Sequence, residues 1–184
     1  LTSFNWLDLL MIIVMAVTVY RGAVQGFVVE FFKILGTIFA TILALHFYVR
    51  AANFLHGSIL MPINLGEILS FILICVLVIL IFKFARDGWL LILKIEAKSG
   101  FSQWAGGFIA IFRSFLICGL CFFLIFLLGN QALDTFAEKS TIGCYLRDLS
   151  PKVYKATYDG VLSKFLPDEV MNGKALKTLK KKQL

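Results

Sequence analysis

Four long apolar runs constrain this chain more than any other feature. Phe4 to Tyr20, Ala23 to about Val49, Leu65 to Phe84 and Trp104 to Leu128 approach or exceed the roughly 17 to 25 residues that a helix needs to cross a bilayer. Hydrocarbon offers no hydrogen-bond partners, so backbone N–H and C=O groups must be satisfied within the segment itself, and apolar runs of this length fold as helices. Composition agrees: 60% of the 184 residues are hydrophobic, 19 are Phe, and the mean hydropathy is +0.89. The expected fold class is therefore all-α, a polytopic membrane protein with four transmembrane helices, an interfacial helix and an amphipathic C-terminal helix. Residues 1–130 form the expected four-helix transmembrane domain, and 131–184 an extramembrane amphipathic helical tail ending in a basic segment.

The connections are short. Only Arg21-Gly22 separates the first two runs, which predicts a tight antiparallel hairpin with its turn there. The chain opens on Leu1 rather than Met; no positive n-region precedes the first run and no A-x-A-like site follows it, so that run is expected to be a span and not a cleaved signal peptide. Between runs three and four, "KFARDGWLLILKIEAKSGFSQ" holds a short apolar block bracketed by Lys83, Arg86, Lys94 and Lys98. Its basic borders and Trp89 suit a helix lying on the membrane surface; a plain extension of the third helix fits as well.

The net charge is +7. No zinc-finger, RNP or helix-turn-helix pattern accompanies it, so the expected partner is the lipid bilayer and not nucleic acid. Arg21, Lys83, Arg86, Lys94 and Lys98 fall in the first and third connections, against Arg50 in the second. Basic residues in short loops stay on the cytoplasmic side, which predicts both termini on the outer, non-cytoplasmic side. The basic C-terminal tail argues the other way, but long tails carry a weaker signal.

After Gly129 the pattern becomes amphipathic. Ser150 reads as an N-cap and Pro151 as the first helical residue, followed by Tyr154, Tyr158, Val161, Leu162 and Phe165 on one face. That face must bury itself, either on the chain's own membrane domain or on a membrane-protein partner or second copy.

Polar residues inside the runs are the candidate site. Gly22, Gly26, Glu30, Lys33, Thr37, Ala40, Thr41 and Ala44 recur at three- and four-residue spacing, and small residues at this spacing let helix backbones approach closely. Glu30 and Lys33 lie within pairing distance on a helix. Gly106, Ala110, Ser114 and Cys118 form a similar small-residue stripe, with Arg113 beside it. With Asp8 in the first run, the candidate intramembrane charge network is Asp8, Arg21, Glu30, Lys33 and Arg113, and the candidate helix-packing residues are Gly22, Gly26, Gly106, Gly107, Ala110 and Ser114. Such charges either set depth and register or line a path for ions or a small solute. Glu67 and the two histidines, His46 and His56, read as interfacial. No HExxH, GxSxG or P-loop pattern is present, and Cys75, Cys118, Cys121 and Cys144 form no metal-ligand spacing. No catalytic residue, metal or cofactor is expected.

The order of these features resembles the CvpA family, bacterial inner-membrane proteins named for colicin V production. "WLDLLMIIV" runs into "YRGAVQGFVVEFFKILG", where Arg21, Gly22, Gly26, Phe27 and Glu30 match an RG-x-x-x-GF-x-x-E run; "WAGGFIAIFRSFLI" supplies Gly106, Gly107 and Arg113; and "KSTIGCYLRDLSP" looks like the region after the spans. The similarity covers about residues 4 to 155. Where the family carries further glycines in the fourth span, this chain has Ala110 and Ser114, which keep the residues small. The resemblance implies a bacterial cytoplasmic-membrane protein, with the outer side of the spans periplasmic, linked to toxin (colicin V) production or export and to envelope function. Because the residues show a packing and charge pattern without a reaction centre, the expected role is a non-enzymatic scaffold or subunit required for toxin production or secretion. An ion or small-solute channel or transporter subunit is the alternative.

Overall fold

The computed structural model describes residues 5–59, 62–93, 100–129, 140, 143, 146, 149–162, 172 and 173. Among the described residues, five α-helices run in the order α1 (Trp6–Gln25), α2 (Phe27–Ile59), α3 (Ile63–Leu93), α4 (Gly100–Leu128) and α5 (Leu149–Thr157), with a π-helical turn, Tyr158–Leu162, completing the last. The first four are long and apolar enough to cross a membrane, and among the described residues there is no strand. This is a multi-pass helical membrane protein.

The first connection differs from the Arg21-Gly22 turn expected. Both residues are helical, α1 continues to Gln25, and the break falls on Gly26 at φ 82°, a left-handed value that a side chain would disfavour. One non-helical residue cannot return a helix along its own flank. α1 therefore diverges from α2 and packs instead along α4, while α2 packs along α3. The hairpin is open, with α4 seated between its arms.

α2 and α4 are the central pair: 44% of the apolar window of each is buried, against 22% for α1 and 17% for α3. The outer faces of α1 and α3 carry exposed Leu9, Ile13, Leu73, Leu77 and Ile81, residues suited to hydrocarbon. At the end of the bundle remote from Gly26, the rings of Tyr48 (α2), Phe71 (α3) and Phe123 (α4) meet at centroid distances of 5.2 to 6.3 Å. Buried Tyr154 of α5 joins the same apolar cluster.

α3 runs unbroken through Lys83, Arg86 and Trp89 to Leu93, so the block read as a separate surface helix is, as far as Leu93, the end of the third span. No proline interrupts it, and ending a helix there would leave unpaired carbonyls. Trp89 instead lies 6.2 Å from Phe32 of α2, holding the extension against its neighbour. Lys94 and Lys98 lie outside the described residues.

α5 begins by Leu149, one residue before the expected N-cap. Ser150 is inside the helix, buried with Pro151, and faces Gly119 of α4, where an added Cβ would come 2.6 Å from its hydroxyl oxygen. Tyr154 is buried in the bundle and Tyr158 half-buried, so this part of the amphipathic face is laid on the chain's own bundle. Phe165 and the side chains of Val161 and Leu162, expected on that face, lie outside the described residues.

Candidate functional site: a charge cluster where three helices meet

At the Gly26 end, α1 and α4 cross closely enough to exclude side chains. A Cβ on Gly22 would stand 2.2 Å from the Ala110 Cβ, and one on Gly106 would stand 2.7 Å from both the Gly22 carbonyl oxygen and the Gly26 carbonyl carbon. The small-residue stripe continues along α4 through Ala110, Ser114 and Cys118, all buried. Gly107 lies beside it, against Ala23. The start of α2 is tied to the same place, since the Phe27 N–H donates to Ser102 Oγ at 3.1 Å.

This crossing delivers Glu30 into the interior. Its side chain is fully buried, with Lys33 Nζ 2.7 Å from Oε1 and Arg113 Nε 3.1 Å from Oε2. The Lys33 contact is an aligned hydrogen bond; the Arg113 contact is a close charge pair off the line of one. Lys33 also donates to Gln25 Oε1, and Thr37 Oγ donates to the Lys33 carbonyl at 2.8 Å. A lone buried carboxylate would cost several kcal/mol, roughly, in desolvation. Two cations reduce that cost, but the cluster keeps one excess positive charge.

Of the five candidate charges, the structure brings together Glu30, Lys33 and Arg113. Arg21 is exposed and makes no ion pair among the described residues. Asp8 is buried at the opposite end of α1, where it serves the helix start. Its Oδ2 accepts from the Asn5 N–H at 2.9 Å and its Oδ1 from the Ser140 hydroxyl at 2.5 Å. Ser140 Oγ in turn accepts from the Gly143 N–H at 2.8 Å. A carboxylate one turn into a helix satisfies otherwise orphaned N–H groups and complements the helix dipole, which places Asp8 there and not in the Glu30 cluster. Glu67, read as interfacial, is also buried.

A second polar junction was not legible in the sequence. His46, expected at an interface, is buried on α2, with its Nδ1 2.8 Å from the Tyr154 hydroxyl of α5. The Asn172 N–H donates to that hydroxyl at 3.1 Å, and its Nδ2 donates to the Leu45 carbonyl at 2.9 Å. The only sequence signal is a histidine in an apolar run; its partners lie over a hundred residues away. Among the described residues, no group of three His, Cys, Asp or Glu could hold a metal ion.

The sequence matches the colicin V production protein family over residues 7–151. The chain belongs to that family. The matched stretch takes in α1 to α4, the Glu30 cluster and the first turn of α5, so the family likeness covers the packed unit described above. Colicin V production proteins are not known as an enzyme family. No curated protein and no solved structure matches the chain.

Proposed function

We propose that this chain is a non-enzymatic scaffold or subunit in toxin (colicin V) production or secretion, seated in the bacterial cytoplasmic membrane with both termini periplasmic. The family match across residues 7–151 carries the reading. The internal pairing of Glu30 with Lys33 and Arg113 supports it, because a carboxylate engaged by two cations across a helix crossing serves packing. The orientation rests on Lys83 and Arg86 sharing the Gly26 end with Arg21, the side that basic loops keep in the cytoplasm. α5 presents Lys152, Lys155 and Asp159 outward, the face that a membrane partner or second copy would engage.

The alternative, a channel or transporter subunit, is favoured by one observation: Lys33 and Arg113, the partners of Glu30, also line a groove between α2, α3 and α4. Two measurements separate the readings. In a colicin V-producing strain lacking its own family member, this chain should restore toxin release, and proteoliposomes should pass protons and ions no faster than empty vesicles. Failure to restore release counts against the scaffold. Flux that disappears in Glu30→Gln establishes the transporter.

A further inference from the structure

The groove between α2, α3 and α4 has a volume of about 460 Å³, within the range of small-ligand sites, roughly 300 to 1,000 Å³. Its wall is divided by chemistry. At the Gly26 end stand Lys33, Lys83, Arg86 and Arg113, and among the described residues no carboxylate lines it. From there the wall is almost wholly apolar, through Ile79, Cys75 and Cys121 to Phe71 and Leu124. Along α3 the lining extends from Phe71 to Arg86, which at helical rise is roughly 22 Å. One leaflet of a hydrocarbon core is about 15 Å deep.

The mouth faces the lipid. α3 and α4 touch only sparsely, and groove residues Ile72, Val76 and Ile79 are themselves exposed, beside Leu73 and Leu80 on the outer surface of α3. A ligand arriving there comes sideways from the bilayer. It meets a cationic head site first and an apolar channel of acyl-chain length beneath it. Glu30 and Asp87 do not cancel this charge. Glu30 lies behind the wall, engaged with Lys33 and Arg113, and Asp87 is half exposed and engages one side of Arg86 at 2.5 Å.

We propose that this groove is a binding site for one anionic phospholipid of the leaflet at the Gly26 end. Its phosphodiester sits among Lys33, Lys83, Arg86 and Arg113, and one acyl chain lies along α3 toward Phe71. Charge complementarity selects the head group, and the length of the apolar wall selects a chain-bearing ligand over a free anion. The Glu30 cluster then has a second consequence: it holds Lys33 and Arg113 at the groove wall whether or not lipid is bound. This site stands independently of any role in toxin production.

The test is native mass spectrometry of the full chain, released from detergent with phosphatidylglycerol or with phosphatidylcholine of identical chains, each with and without excess glycerol phosphate. Phosphatidylglycerol should be retained at least about tenfold better, since each cation near an anionic head group contributes roughly fivefold. Lys83→Gln with Arg86→Gln leaves the buried Glu30 pairs untouched and should remove most of that preference. Cys75→Phe, which fills the channel without altering charge, should lower retention of both lipids, with folding checked by thermal melting in detergent. Equal retention of the two lipids, indifference to both variants, or displacement by glycerol phosphate would each overturn the proposal.

Discussion

Replacing Gly22 by alanine separates two opposed expectations. Helix propensity alone favours the change by about 1 kcal/mol, because alanine loses less backbone freedom than glycine. The tertiary structure reverses the sign. The new methyl would lie 2.2 Å from the Ala110 Cβ and 3.2 Å from both the Glu30 Cδ and the Gly106 carbonyl oxygen. Carbon atoms settle at roughly 3.5 to 4.0 Å, so the Ala110 contact is short by well over 1 Å, and neither methyl has a torsion that moves it aside. α1 must withdraw from α4, loosening the crossing that buries Glu30. Overpacking of this kind costs about 1 to 3 kcal/mol; with backbones in contact the upper end applies, leaving a net loss of about 2 kcal/mol after the propensity gain. Ala110→Gly removes the opposing methyl and by itself should cost about 1 kcal/mol in propensity. The double variant should recover much of the clash, with a favourable coupling of at least about 1 kcal/mol. Unfolding of the four proteins in micelles by graded sodium dodecyl sulfate measures the cycle. A Gly22→Ala protein more stable than wild type, or additive losses in the double variant, would refute the steric reasoning.

Three other perturbations follow from the same geometry. Glu30→Gln leaves Lys33 and Arg113 facing each other without their shared carboxylate; removing one member of a buried pair costs about 3 to 5 kcal/mol. The lower end is expected because the Lys33 side chain is 22% exposed, and a melting temperature unchanged in detergent would contradict it. Tyr154→Phe removes the hydroxyl joining His46 and Asn172, about 1 kcal/mol, and should speed proteolysis near α5 while leaving α1 to α4 intact; equal cleavage rates would show that the junction does not hold α5. Asp8→Asn weakens the α1 start and the link to Ser140, about 1 kcal/mol, and should speed amide exchange over the first turn of α1 without touching Gly26. Exchange rising equally at both ends of α1 would show that the two ends are coupled after all.

Much of the architecture was legible along the chain because membrane solvation imposes it locally. An apolar run long enough to span must be helical, and four such runs require four helices. The small-residue stripe from Gly106 to Cys118 was legible for a related reason: side-chain size and three- and four-residue spacing are properties of one helix, and they mark the face on which a neighbour can come close. The pairing of Glu30 with Lys33 was legible on the same grounds, being one turn of a helix.

What the chain could not disclose is which neighbour occupies each face. Arg21-Gly22 looked like a turn because it is polar, yet a helix end tolerates arginine, and only the φ of Gly26 marks the break. Moving that break by four residues swings α1 away from α2 and onto α4. Asp8 and Glu30 looked equivalent as acids in apolar surroundings; tertiary packing put one at a helix start against Ser140 and the other between two cations. His46, Tyr154 and Asn172 carry no local sign of one another. Sequence determined helix, span and small face through local solvation and side-chain size, whereas the helix crossings decided which charges meet, because pairing depends on distances between segments remote in the chain.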